Sequence, residues 1–263
     1  MHTRFLKFIL NVNKFVSNSA VRGELGRYPM SVKVLSLSVK YWHNIITNRS
    51  PNILLRAALH SENSIYSHWT QGIEFVLTTN GLAYVWGEHS TITPSCLYNL
   101  LKQRLTDQYI QTWIMDNRNK TSPLSLIKQT YDYSKYLSYI RSPEIRSIFT
   151  KMRINNNIMF NNSNQYNDQL TCPMCSTNIV DVAQHALLEC SKTLVTREAF
   201  STSTRQIVKH YNMLSLKDKL LLILDLKVDL LINKSHEEDF ITKVTSYIKY
   251  IYYRIKNNNF HIT

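Results

Sequence analysis

Three cysteines and one histidine lie close together in an otherwise polar, Asn-rich part of the chain. Cys172 and Cys175 are separated by two residues, and His185 and Cys190 follow in the pattern C-x2-C-x9-H-x4-C. Two cysteines at this spacing can bind one ion from a tight turn, and a later His and Cys can complete a tetrahedron. Because these four side chains fill all four positions, none stays open for water or substrate. The pattern predicts one structural Zn²⁺.

The residues around His185 predict a short helix that carries this ligand. Asp181 stands at the position of an N-cap and Gln184 at that of a capping box, which predicts a helix over 182–189. His185 and Cys190 are five residues apart, which is about 140° around an ideal helix. Both can therefore bind one ion only if the helix ends or bends before Cys190.

Two other interpretations of these residues stay open. Cys172 and Cys175 have the spacing of thiol oxidoreductases, but that chemistry needs a strand before the first Cys and a βαβ unit. The preceding residues NQYNDQLT are a poor strand, and nothing in the chain indicates a βαβ unit. The cysteines could also be buried side chains without a ligand. Cys96 lies far from the others in sequence and is expected to be a small buried hydrophobe.

The elements that must position these residues are expected to be helices. The chain has 263 residues, 44% of them hydrophobic, with only five Gly and six Pro. This composition disfavours sandwiches and barrels, which need many tight turns. From Pro29 onward, apolar residues recur at steps of three and four. Further helices are predicted at 52–67, 70–85, 95–117, 122–139, 195–212 and 216–233. A separate helix, the last of the chain, is predicted to place five residues on one face: Phe240, Val244, Tyr247, Ile251 and Ile255.

The predicted fold class is mostly α, a helical array with a small zinc-stabilised module and little or no sheet. Three segments are expected along the chain: a helical region at 1–140, a basic helix with the zinc module at 141–198, and a C-terminal helical region at 199–263.

The charge balance indicates a polyanionic partner. Lys and Arg outnumber Asp and Glu by 31 to 18, which gives a net charge of +13. The segment RSPEIRSIFTKMRI is predicted to be a basic helix that starts at Ser142 and Pro143. Nucleic acid is the expected partner, through its phosphates. The residues expected to contact it are Arg141, Arg146, Lys151, Arg153, Lys192 and Arg197.

Several stretches together resemble one protein family. CPMC…DVAQHALLEC resembles the CCHC zinc-binding segment near the C-terminus of non-LTR (LINE-like) retrotransposon reverse transcriptases. FLKFILNVNKFVSNSAVRGELGRYPMSVKVLSLSVKYW looks like the region after the polymerase palm, so residues 1–140 resemble its thumb and linker part. EIRSIFTKMRI looks like the basic segment before the zinc ligands, and Arg197 matches a basic residue that often follows them.

The resemblance implies a C-terminal part of such a protein that helps to hold template RNA or target DNA. Full-length relatives are RNA-directed DNA polymerases with an endonuclease. This chain departs from them because it has no Asp-Asp pair, which polymerisation by two metal ions requires. Asp225 and Asp229 are expected to face solvent. We therefore expect no enzymatic activity. The alternative is a helical interaction module that docks on a polymerase in trans, or on another protein, through its Tyr-rich last helix.

The sequence predicts neither secretion nor a membrane span. Lys7 interrupts the first apolar run and no small-residue cleavage site follows it. The most apolar run, LLLILDLKVDLLI, contains three charged residues. An intracellular protein of the nucleus or cytoplasm is expected.

Overall fold

The computed structural model describes residues 2–47, 57, 61, 68–118, 123–154, 170–172, 174–179 and 181–258. Within these residues the chain is 75% helical, with thirteen α-helices. They are α1 His2–Ile9, α2 Asn18–Leu25, α3 Met30–Thr47, α4 His68–Thr79, α5 Tyr84–Gly87, α6 Pro94–Arg118, α7 Pro123–Ile127, α8 Tyr136–Tyr139, α9 Pro143–Ile154, α10 Val182–Gln184, α11 Leu194–Arg205, α12 Leu216–Leu224 and α13 Glu237–Asn258. The prediction of a mostly α fold is confirmed.

Strand structure in the described ranges is limited to one antiparallel pair. β1 (Leu170–Thr171) pairs with β2 (Asn178–Ile179). Short helical turns complete the described elements: a π-helical turn at His185–Glu189 and 3-10 turns at His89–Thr91, Ser191–Thr193, Tyr211–Met213, Val228–Leu230 and Lys234–His236. No helix of the described residues is both long enough and apolar enough to cross a bilayer.

Several predicted helices are shorter than their apolar pattern suggests. The pattern over 70–85 is divided between α4 and α5 because Gly81 takes a left-handed φ of 66° after the helix end. The helix predicted over 216–233 ends at Leu224, since Leu226 takes a left-handed φ of 47°. Periodicity cannot detect such local left-handed residues. The helix predicted at 52–67 falls almost wholly outside the described residues.

The chain divides into two compact units, residues 1–27 with 113–263, and residues 28–112. This division does not follow the predicted segments, because 113–140 belongs to the same unit as 141–263. Residues 28–112 have their own apolar core around Val39, Trp42, Leu77 and Leu97. Trp42 stacks on Trp86 with ring centroids 4.9 Å apart.

In the larger unit, α13 supplies much of the core. All five residues predicted for one face of this helix are buried, and Ile248 is buried beside them. Tyr247 stacks on Phe200 of α11 at 4.4 Å. Its hydroxyl donates a hydrogen bond to the carbonyl of Leu187 in the π-helical turn. The last helix therefore supports the segment that carries His185.

The end of α2 requires two glycines. Gly26 follows the helix with a left-handed φ of 57°, and its N–H donates to the carbonyl oxygens of Arg22 and Gly23. A Cβ at Gly26 would lie 2.7 Å from the backbone nitrogen of Tyr133. A Cβ at Gly23 would lie 2.7 Å from the indole nitrogen of Trp113. At both positions neighbouring atoms lie too close for a Cβ, and Gly26 also takes a left-handed φ that favours glycine.

Candidate metal centre and charged residues around it

The first two cysteines are held by a tight turn between β1 and β2. The N–H of Cys172 donates to the carbonyl of Thr177 at 2.8 Å, and the N–H of Ser176 donates to the carbonyl of Cys172 at 2.8 Å. Ser176 takes a left-handed φ of 58°, which reverses the chain directly after Cys175. These bonds fix the backbone of both cysteines.

The other two ligand candidates lie on a helical segment that changes type. The Asp181 side chain accepts a hydrogen bond from the Gln184 N–H at 3.0 Å, so the predicted N-cap is confirmed. A π-helical turn follows, in which the Cys190 N–H donates to the His185 carbonyl at 2.7 Å. In an α-helix, the residue four positions further along the chain returns to the same side of the helix. In this wider π-helical turn, the residue five positions further along lies near that place instead. Cys190 then leaves the helix with a ψ of 128°. The expected end before Cys190 is thus present.

The four side chains converge on one point. Their ligand atoms all lie within 4.8 Å of one another. Cys172 Sγ is 3.9 Å from Cys190 Sγ, and Cys175 Sγ is 3.2 Å from His185 Nε2. Ligand atoms of a tetrahedral zinc site are about 3.5–3.8 Å apart, given the usual Zn–S and Zn–N lengths. The cluster Cys172, Cys175, His185 and Cys190 could therefore hold one metal ion.

The three thiols differ in acidity. Burial raises the pKa of Cys172 to about 12 and raises the pKa of Cys190 as well. Partial burial also acts on Cys175, but hydrogen bonds from the Thr177 hydroxyl and backbone N–H outweigh it and lower the pKa of Cys175 to about 6. Metal ligation requires thiolates, so an ion must displace protons from the two buried thiols.

A carboxylate lies behind the imidazole. Glu189 Oε2 is 3.8 Å from His185 Nδ1, on the ring edge away from Cys175, and Glu189 Oε1 accepts a hydrogen bond from Gln184 Nε2 at 2.7 Å. Carboxylates in this place orient histidine ligands and fix their tautomer. The zinc-ligand pattern does not include Glu189, although its position four residues after His185 is a usable signal. The Gln184 side chain donates to Glu189, so it does not form the second, reciprocal hydrogen bond of the predicted capping box.

Other side chains satisfy the carbonyl groups of the turn and its end. Arg197 Nη1 donates to the Cys190 carbonyl at 3.0 Å, and Thr193 Oγ1 donates to the Ala186 and Cys190 carbonyls at 3.1 and 3.0 Å. Arg197, which was predicted to contact nucleic acid, is half-buried. Its hydrogen bond stabilises the end of the turn at Cys190, a candidate metal ligand.

Arg153 has a structural position, which corrects its assignment as a phosphate contact. Its side chain is fully buried, and Nε donates to Glu24 Oε1 at 3.1 Å. Nη1 donates to the Leu224 carbonyl and lies 3.3 Å from Asp225 Oδ1. Asp225 is thus paired rather than turned freely to solvent, also contrary to expectation. A guanidinium enclosed in this way cannot reach a surface phosphate.

The remaining predicted cations keep access to solvent to different degrees. Arg141 and Lys192 are exposed, whereas Arg146 and Lys151 are half-buried. The Lys151 ammonium lies 5.9 Å from the centre of the Tyr252 ring. Burial, and then the nearby Lys256, lower the pKa of Lys151. The Lys151 ammonium therefore lies near an aromatic ring of α13, in the positive field of a second lysine of that helix.

The last helix and Cys96 differ from expectation in which side chains reach solvent. The Tyr-rich helix uses Tyr247 in the core, and Tyr253 donates to Glu144 Oε1 at 2.6 Å, while Tyr250 stays exposed. Tyr252 and Tyr253 are half-buried. Cys96 is exposed, contrary to the expected burial. It lies in the first turn of α6, where the apolar neighbour Leu97 takes the buried position instead.

A comparison of the chain with protein-family models, curated proteins and solved structures finds no match to any of them.

Proposed function

We propose that the chain binds RNA or DNA without catalysing a reaction, and that the cluster at Cys172 holds a structural Zn²⁺. Three sulfurs and one imidazole are soft to intermediate ligands, which suit Zn²⁺ and disfavour Mg²⁺ and Ca²⁺. The ion would tie the β1–β2 turn to the π-helical turn. All four ligand positions would be filled from the protein, which fits a structural ion.

The half-buried Lys151 carries the proposal of nucleic-acid binding, since its ammonium lies 5.9 Å from the centre of the Tyr252 ring and Lys256 acts on it with a like charge. Two like charges close together destabilise a fold unless a counter-charge offsets them. The ion pairs found among the described residues do not include either lysine. A phosphate near both ammonium groups would relieve the repulsion, and the half-buried Tyr252 ring of α13 would offer an apolar surface to a sugar or base. Exposed Arg141 and Lys192 would extend this surface.

The origin we propose follows from the sequence resemblance. The order of the VRGELGRYP segment, the EIRSIFTKMRI segment and the CCHC pattern is that of the C-terminal region of LINE-like reverse transcriptases. The chain would then hold template RNA or target DNA for polymerase activity supplied elsewhere.

The test is a charge reversal of the two lysines, Lys151→Glu with Lys256→Glu. We expect weaker binding of labelled RNA and duplex DNA of every sequence tested, because phosphate contacts carry no sequence information. The slope of log K against log salt should fall in magnitude by about 2 for duplex DNA. Fluorescence anisotropy at several salt concentrations measures both effects.

The matched control reverses two exposed lysines elsewhere, Lys33→Glu with Lys217→Glu, which changes the net charge by the same amount. If the two double variants lost binding affinity equally, the loss would be an effect of overall charge. This result would contradict a site at Lys151. If the chain instead docks on a protein partner, it should not bind nucleic acid at salt concentrations that screen non-specific charge attraction.

A further inference from the structure

The first helix presents aromatic rings to solvent. Leu6 of α1 and Leu10, directly after the helix, are buried in the core, with 5% and 3% of their surface exposed. Phe5 and Phe8 are 60% and 79% exposed, and Phe15 in the following turn is 78% exposed. Burying a phenylalanine side chain is worth about 2 or more kcal/mol relative to leaving it in water. Three phenylalanines between residues 5 and 15 are therefore left in water, which is unusual.

Cations are interleaved with these rings. Phe5 and Phe8 are three residues apart on one side of α1, and the exposed Arg4 lies between Phe8 and Lys7 around the helix. Lys7 Nζ donates to the Lys14 carbonyl at 2.7 Å, which ties the following turn to the helix. The Lys14 ammonium lies 5.0 Å from the centre of the Phe15 ring.

No acidic side chain offsets this charge within the segment. Residues 1–23 contain Arg4, Lys7, Lys14 and Arg22 but neither Asp nor Glu. The first acid of the chain, Glu24, is fully buried and paired with Arg153. The surface is thus positively charged and aromatic, which complements a ligand that is anionic and has flat apolar faces.

We propose that α1 and the turn after it bind single-stranded nucleic acid, with Phe5, Phe8 and Phe15 stacking on unpaired bases and Arg4 and Lys14 contacting phosphates. A duplex hides its base faces inside the stack, whereas an unpaired strand exposes them to aromatic side chains. The surface therefore selects single strands by their unstacked bases. This inference rests on the proposed nucleic-acid function, but it concerns different residues from Lys151 and Lys256.

The experiment compares the full chain with the triple variant Phe5→Ala, Phe8→Ala, Phe15→Ala. Fluorescence anisotropy measures binding of a labelled oligo(dT) and of a duplex of the same length. Each lost ring should weaken oligo(dT) binding about fivefold or more, while duplex binding changes by less than about twofold. The variant should fold normally, because all three side chains are exposed, and its circular dichroism checks this.

Three further variants sharpen the comparison. Phe75→Ala removes an equally exposed phenylalanine, 68% accessible, in the other unit beside Glu74, and should leave oligo(dT) binding unchanged. Phe8→Trp keeps a stacking face and should retain binding, with its fluorescence quenched by oligo(dT). Arg4→Ala with Lys14→Ala should weaken oligo(dT) binding and flatten its salt dependence.

The outcomes separate this inference from the broader function. If the triple variant binds oligo(dT) as the unchanged chain does, while reversal of Lys151 and Lys256 still weakens binding, only the stacking surface is refuted. If the unchanged chain binds no nucleic acid, both proposals fail. If the triple substitution abolishes binding to phosphatidylserine vesicles but not to oligo(dT), the surface serves a lipid bilayer and the inference is overturned.

Discussion

Cys172, Cys175 and Cys190 would serve one ion but start from different protonation states. Near neutral pH the two buried thiols keep their protons, because burial raises the pKa of each, to about 12 in Cys172. Cys175, whose pKa is about 6, is already mostly thiolate. Ion binding must therefore remove protons from two of the three sulfurs.

Zinc binding at pH 7.5 should release about two protons per ion. A raised thiol pKa favours the protonated, metal-free state, so the apparent affinity should rise as the pH rises. Between pH 6.5 and 7.5 the gain should be about 100-fold, tenfold for each proton. Calorimetry in buffers of different ionisation enthalpy measures the proton count.

Cys96→Ala is the control for this measurement, because Cys96 is an exposed cysteine outside the cluster and should change neither quantity. An affinity that does not depend on pH would show that the buried thiols are not ligands.

For individual residues, type and spacing predict the four candidate metal ligands, but they do not predict which cationic side chains are buried. Arg153 carries the same charge as Arg141, yet it is enclosed because α9 is buried around most of its circumference. Its partner Glu24 lies far away in sequence. Only the folded chain brings an acid from α2 and one from the end of α12 to the same guanidinium.

Among the elements, the end of α2 depends on Gly26. The substitution Gly26→Ala should destabilise the larger unit by at least about 2 kcal/mol, because a left-handed φ is costly for alanine and its Cβ would meet the Tyr133 backbone. Urea unfolding followed by circular dichroism measures the loss.

Gly72→Ala is the matched control, since Gly72 lies in α4 and a Cβ added there would have no atom within 4 Å. Alanine is the better helix former by about 1 kcal/mol, so this variant should be equally or more stable. A Gly26→Ala variant as stable as the unchanged chain would contradict the assigned close approach.

Local signals determined how well each element could be predicted. Asp181 before α10 and Pro143 at the start of α9 act through contacts within one turn, so their sequence positions were sufficient. The ends of α4 and α12 depend on left-handed residues at Gly81 and Leu226. Leucine gives no sequence signal for that conformation, and the apolar pattern continued past the true helix end.

In the molecule as a whole, the candidate metal centre belongs to one unit and the Trp42–Trp86 stack to the other. Each unit has its own apolar core. A change in metal content should therefore affect the two units unequally.

Purified protein should contain about one zinc ion per chain, and a strong chelator should expose the backbone around 170–198 to hydrogen exchange. Residues 28–112 should keep their protection, because their core includes none of the four ligand candidates. Hydrogen-exchange mass spectrometry with and without chelator measures both regions. The variant His185→Ala should resemble the chelated protein without any chelator. Uniform loss of protection over both units would contradict a local structural role for the ion.

The π-helical turn between His185 and Cys190 also makes the centre sensitive to chain length. Loss of one residue from this turn would restore ordinary α-helical bonding, and the two ligands would then lie four apart, about 40° around the helix. Gain of one residue would place the two ligands six apart, about 120° from each other around an ideal helix. Proteins descended from a common ancestor with this chain should therefore show deletions here more readily than insertions.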